Sequence, residues 1–134
     1  MPLGDQGSLA NVRILAVEDQ DDSRDLLQYV LEREGAVVQT ARTVPEARAA
    51  LRERVFDLLI ADLGLPEEDG ISLIRTIRET FSSPTREIRA VALTAYAGGY
   101  YRAKALSAGY DAFLAKPIEI TKLTEVLVDL MSAK

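Results

Sequence analysis

The 134-residue chain has no cysteine, no histidine and no tryptophan. Without cysteine it can build neither a disulfide framework nor a thiolate site. Without histidine it has no imidazole base, no phospho-carrier of its own and no imidazole metal ligand. Any metal must therefore sit on oxygen, which favours a hard cation such as Mg²⁺ or Ca²⁺. No apolar run approaches the roughly 20 residues that a membrane-spanning helix needs. The first residues, Met1 to Ser8, lack the basic and apolar regions of a signal peptide, so a cytoplasmic location is expected. A net charge of −5 argues against broad contact with a nucleic-acid backbone, which calls for a basic surface.

What is present has a regular rhythm. Residues 1–11 are polar and rich in Gly and Pro, and read as a flexible tail or linker stub. Residues 12–133 read as one domain. Val12 to Val17 is a short apolar strand. Asp21 or Asp22 caps a helix whose inward positions are Leu26, Leu27, Val30 and Leu31, and Gly35 ends it. Ala36 to Thr40 is a second strand. Thr43-Val44-Pro45-Glu46 is a capping box, and Ala47, Ala50 and Leu51 form the apolar face behind it. Phe56 to Ala61 is a third strand, followed by a helix from Ile71 to Thr80 with Leu73, Ile74 and Ile77 inward. Ile88 to Leu93 is a fourth strand, Gly99 to Ala108 a helix ended by Gly109, and Asp111 to Ala115 a fifth strand. Glu119 to Met131 is a closing helix with Leu123, Val126, Leu127 and Leu130 inward.

Strands that are apolar throughout and alternate with helices imply a parallel sheet covered on both faces. Five such units fit a flavodoxin-like (βα)5 three-layer sandwich with strand order 2-1-3-4-5. In that order strands 1 and 3 are neighbours, and ligand chemistry gathers at the C-terminal ends of the strands.

Those ends carry a definite set of residues. Strand 1 runs into Glu18-Asp19, strand 3 into Asp62, strand 4 into Thr94 and strand 5 into Lys116-Pro117. Taken singly, each is an ordinary turn or cap residue. Taken together, three carboxylates, a hydroxyl and an ammonium converge on one rim. The carboxylates repel one another unless a cation relieves them. The set describes a site for phosphate on a carboxylate. Asp62 is the nucleophile, Mg²⁺ the clamp, and Lys116 and Thr94 supply charge and a hydrogen bond.

At these residues the chain resembles the receiver domain of two-component response regulators. The matching segments are ILAVEDQDDSRDLL (Ile14–Leu27), DLLIADLGLPEEDGISLIRTIR (Asp57–Arg78), AVALTAY (Ala90–Tyr96) and GYDAFLAKPI (Gly109–Ile118). The resemblance implies that Asp62 accepts the phosphoryl group. It implies that Mg²⁺ or Mn²⁺ is held by Asp19, Asp62 and the Gly64 backbone carbonyl, with Glu18 acting through water. Thr94 and Lys116 match the pair that binds phosphoryl oxygens, and Phe113 matches the aromatic switch. The Lys116-Pro117 bond is expected to be cis.

The implied donor is the phosphohistidine of a histidine kinase or a histidine phosphotransfer protein. The implied response is a changed surface on the fourth helix, fifth strand and fifth helix. A receiver is a phospho-acceptor and catalyses only its own phosphorylation and dephosphorylation. The expected assembly is a monomer or weak dimer. The segments look most like receivers attached to hybrid histidine kinases, with a stand-alone regulator as the other possibility.

Other readings fit less well. A pseudo-receiver that binds partners without phosphorylation would not need the intact set of Glu18, Asp19, Asp62, Thr94 and Lys116. An FMN protein would need a phosphate-cradling loop where EDQDDSRD stands. A haloacid-dehalogenase-type hydrolase expects an acid at position 64. Two positions are candidate modulators of phosphate lifetime. Gly64 offers no side chain to hold or block water, and Tyr96 is large enough to shield the phosphoryl group. The shielding role predicts that Tyr96→Ala speeds dephosphorylation; an unchanged time course would remove Tyr96 from the site.

Overall fold

A computed structural model describes residues 7–64, 69–95 and 98–132. Five strands form one parallel sheet: β1 (Arg13–Val17), β2 (Val37–Ala41), β3 (Leu58–Asp62), β4 (Arg89–Thr94) and β5 (Ala112–Ala115). Their order is β2-β1-β3-β4-β5, the expected doubly wound arrangement. Between and after them run α1 (Asp21–Arg33), α2 (Val44–Glu53), α3 (Gly70–Thr80), α4 (Gly99–Ala108) and α5 (Ile120–Ser132). A short 3₁₀ turn, Thr85–Glu87, precedes β4 and was not anticipated from the sequence.

Alternation along the strands sorts the core into two halves. Leu15, Val17, Leu59, Ala61, Ala90 and Ala92 pack with residues of α2, α3 and α4. Ile14, Ala16, Leu58, Ile60, Val91, Leu93 and Leu114 pack with residues of α1 and α5. Both faces of the sheet are therefore buried, which is why the strands read as continuous apolar runs rather than as alternating ones.

Local chemistry sets the helix starts. Thr43 accepts a hydrogen bond from the Glu46 amide at 3.2 Å, while Glu46 Oε1 accepts from the Arg42 amide at 2.9 Å. The capping box thus closes one residue further back than its usual form. Asp69 caps α3 by accepting from the Ser72 amide at 2.9 Å.

Three expectations need correction. Asp21 and Asp22 do not cap α1: Gln20 is the N-cap, without a side-chain bond, and the two acids lie in the first turn. There they face the positive end of the helix dipole. Leu26 is half exposed, and only Leu27, Val30 and Leu31 of the proposed stripe are buried. Finally, residues 7–11 are not tail. Leu9 is fully buried, its amide donates to the Glu34 carbonyl at 2.9 Å, and Ser8 Oγ donates to Glu34 Oε1 at 2.7 Å. One buried leucine outweighs the polar composition around it.

Two glycines have opposite roles. Gly109 ends α4 at φ 131°, and a Cβ there would sit 3.0 Å from Arg78 Cγ. At Gly99 in the first turn of α4, a Cβ would meet nothing within 4 Å. Gly109→Ala is expected to destabilise the fold by more than about 1 kcal/mol. Gly99→Ala should stabilise it by roughly 0.4–1 kcal/mol through the unfolded state. Urea unfolding of the two variants measures both signs.

Candidate functional site

Strand register builds the site. Val17 is level with Ala61, and Asp62 with Leu93, so Glu18 and Asp62 follow side by side at the sheet's C-terminal rim. Thr94 is level with Ala115, so Lys116 follows one residue beyond. Parity then assigns faces. Residues 14, 16 and 18 of the first strand region, 58, 60 and 62 of the third, and 114 and 116 of the fifth alternate toward α1 and α5. Thr94 and Phe113 belong to the opposite parity, with Ala92 and Ala90 on the α3–α4 side.

The contacts follow this assignment. Lys116 Nζ donates to Asp62 Oδ2 at 2.5 Å and to Glu18 Oε1 at 2.6 Å. Asp62 Oδ1 accepts from the Gly64 amide at 2.8 Å, and Glu18 Oε2 from the Gln20 amide at 3.1 Å. Glu18 is fully buried, Asp62 is nearly so at 8% exposed, and Thr94 is at 1%. Asp19 and Lys116 are half-buried. One carboxylate oxygen each from Glu18, Asp19 and Asp62 lies within 4.8 Å of the others. Arg24 reaches back from α1 to the Glu18 carbonyl at 3.2 Å and fixes the turn that presents both acids.

The electrostatics are those of a crowded acidic cleft. Burial pushes the Glu18 carboxyl above its ordinary value, against the opposing hydrogen bonds from Lys116 and the Gln20 amide; the nearby charge of Asp62 adds to the rise. Burial alone would lower the Lys116 ammonium, but its hydrogen bonds to Asp62 and Glu18 prevail and hold it above its usual range. The donor set is all hard oxygen, with no histidine or cysteine in the chain, and suits Mg²⁺ or Mn²⁺.

The structure thus brings Glu18, Asp19, Asp62 and Lys116 together. Thr94 stands on the adjacent strand end, with its backbone carbonyl accepting from the Lys116 amide at 2.8 Å. Gly64 is exposed, and a Cβ at that position would make only an ordinary 3.6 Å contact with Asp62 Oδ1, so space does not demand glycine there. Phe113 is half-buried against the α3–α4 half of the core. The Lys116-Pro117 peptide is cis, as expected, and so is Ser83-Pro84, which was not anticipated. Tyr96 lies outside the described residues. Sequence reasoning missed Arg24 and the Gly64 amide. The second had a signal, since an Asp often accepts from an amide two residues on; Arg24 had none beyond its charge.

The chain matches the response regulator receiver domain family over residues 14–128, and it belongs to that family. It is thus a regulatory domain of the two-component class rather than an enzyme of the ordinary kind. A 14.6 kDa uncharacterized protein from the sodA1 3′ region of Leptolyngbya boryana is 40% identical over 120 residues, 90% of each chain. The virulence transcriptional regulatory protein PhoP of Salmonella typhimurium is 37% identical over 120 residues; they are 90% of this chain and 52% of that protein, so the chain spans about half of PhoP. Among solved structures, the receiver domain of sensor histidine kinase PA1611 from Pseudomonas aeruginosa superposes with a TM-score of 0.83 at 29% identity. That match covers 92% of this chain and 100% of the other, which carries a magnesium ion coordinated in its active-site cleft.

The raised Glu18 carboxyl makes a prediction. A carboxyl held above its unfolded value of about 4.5 binds its proton more tightly in the folded chain. Its contribution to stability is full below that pH and is lost as pH rises through the folded value. Glu18→Gln is therefore expected to flatten the loss of stability with rising pH above that value. Melting temperatures of the two proteins across this range, without divalent cation, measure the slope; identical slopes would exclude Glu18 as its source.

Proposed function

We propose that this domain is a phospho-accepting switch in which Asp62 takes a phosphoryl group from the phosphohistidine of a histidine kinase or histidine phosphotransfer protein. One observation carries the reading. A nearly buried Asp62 shares a cleft with Glu18 and Asp19, and the Lys116 ammonium bridges Asp62 and Glu18. A structural ion pair needs one acid for one base. This cleft has an excess of acid facing a single ammonium, which suits a cation and an incoming phosphate.

In the transfer, a carboxylate oxygen of Asp62 forms a bond to phosphorus as the phosphorus–nitrogen bond of the donor breaks, and the leaving imidazole takes a proton from solvent. The donor must be another molecule, since this chain has no histidine. Asp19, Asp62 and the Gly64 carbonyl would hold Mg²⁺ or Mn²⁺, with Glu18 through water; the ion supplies charge that offsets phosphoryl oxygens against the carboxylates. Lys116 holds Asp62 in place before transfer and pairs with a phosphoryl oxygen after it. Thr94 then moves to a second phosphoryl oxygen, and Phe113, on the same side of the sheet, turns into the space released. The surface of α4, β5 and α5 changes and is read by a downstream protein. The acidic charge balance supports a protein partner rather than a nucleic acid.

Among the described residues no helix is long and apolar enough to cross a membrane. We place the domain in the cytoplasm, as a monomer or weak dimer, within a hybrid histidine kinase or standing alone.

Incubation with acetyl phosphate and Mg²⁺ followed by intact mass measurement tests this. One added phosphoryl group is expected on the wild type and none on Asp62→Asn. No adduct from any donor, phosphohistidine included, would overturn the proposal and leave a binding module of the same fold.

A further inference from the structure

The site described above leaves one buried polar contact unexplained. Tyr110 lies two residues before β5, is 3% exposed, and sits in the half of the core formed with α2, α3 and α4. Its hydroxyl donates to the Gly70 carbonyl at 2.7 Å, a fully buried bond across forty positions of sequence. Gly70 is the buried first residue of α3. The Gly70 amide in turn donates to the Leu63 carbonyl at 3.2 Å. Gly70 also packs against the backbone of the acceptor itself: a Cβ there would lie 2.8 Å from the Asp62 carbonyl oxygen and 3.1 Å from Leu63 Cα. The Leu63 amide is anchored to the Leu93 carbonyl at 2.8 Å.

We propose that Tyr110 is a positioning residue for the phospho-acceptor site, acting through Gly70. Its hydroxyl fixes Gly70 against the backbone of Asp62 and Leu63, and so fixes the neighbouring Gly64 carbonyl and amide relative to the Asp62 carboxylate. The role rests on the reading of Asp62 and Gly64 given above. It does not require Tyr110 to touch a phosphoryl group or an ion. Burial holds the phenol protonated well above its ordinary range, so the donor is present throughout the pH range in which the protein works. Few other residues could serve. Phe fills the same volume but leaves the Gly70 carbonyl without its buried partner. Smaller polar residues cannot span from the start of β5 to the start of α3.

The test is a Mg²⁺ titration of the full chain, wild type and Tyr110→Phe, followed by ¹⁵N NMR, with hydrogen exchange read at the Gly64 amide. The variant is expected to bind Mg²⁺ roughly three- to tenfold more weakly, the scale of one buried hydrogen bond. Its Gly64 amide is expected to exchange faster by a similar factor. A lower melting temperature with unchanged Mg²⁺ affinity and unchanged Gly64 exchange would overturn the inference and leave Tyr110 as core packing. If Tyr110→Phe does not fold, the wild type decides: a Tyr110 hydroxyl proton in slow exchange, with a nuclear Overhauser contact to Gly70, supports the bond, and a fast-exchanging one overturns it. Wild-type protein that binds no Mg²⁺ would overturn the reading of the acidic cleft, and this inference with it. Wild type that binds, alongside a Tyr110→Phe that binds equally, would overturn this inference alone.

Discussion

One ammonium group holds the rim of this domain together. The sheet register forces Glu18 and Asp62 side by side, and Asp19 follows directly. At an effective dielectric near 20, two such carboxylates within 4.8 Å repel by on the order of 3 kcal/mol. Lys116 offsets this by bonding to Glu18 and Asp62 at once. It can do so because β5 is registered against β4, which puts residue 116 just past the level of Thr94 and on the same side as both acids. Shift β5 by one residue and the ammonium would leave the cleft. The pairing is thus a consequence of topology before it is a matter of chemistry.

The same parity separates the machinery into two compartments. Glu18, Asp62 and Lys116 alternate toward α1 and α5, whereas Thr94 and Phe113 alternate toward α3 and α4. In the proposed transfer the charge changes at Asp62 on one side of the sheet, while the groups proposed to respond lie on the other. The rim is where they meet, because only there does β4 end beside β3. On the side that carries Thr94 and Phe113, α4 is the least anchored helix. Ala105 is its only fully buried residue, Gly98 caps it without a side-chain bond, and Tyr100, Tyr101 and Leu106 face out. Few buried apolar contacts mean a low cost of local rearrangement.

Much of this was legible in the sequence because parallel doubly wound sheets couple pattern to position. Apolar runs gave the strands to within one or two residues, and the residue after each run was then a rim residue by rule. Thr43 to Glu46 carried its own cap. The site residues could be named because their place depends on where a strand ends, not on distant packing. What escaped was of another kind. Leu9 is buried through contacts with the end of α1 that no local pattern encodes. Leu26 matches helical spacing as well as Leu27 does, yet spacing alone does not say which edge of a stripe the sheet covers. The hydroxyl of Tyr110 meets Gly70 forty positions away, and a tyrosine before a strand looks like any other apolar residue.

These long-range contacts confine where the molecule can move. The turn at Gly109 and Tyr110 holds α3 at both ends. Tyr110 binds the first residue of the helix. Arg78 in its last turn donates to the Gly109 carbonyl from Nε at 3.1 Å and from a terminal nitrogen at 2.7 Å, and to the Arg86 carbonyl at 2.7 Å. Asp111 completes the link by accepting from the Ala90 amide at 2.8 Å. Half-buried Arg78 has its charge disfavoured by burial, partly compensated by Asp111, so releasing these bonds inside the protein would be costly. α3 is therefore fastened to β4 and β5 as one body, although it is the next helix after Asp62. A rearrangement that begins at Asp62 meets resistance along α3 and little along α4. For the switch proposed above, the direction of change follows from where the buried hydrogen bonds are, with no need for a special path between the site and the surface.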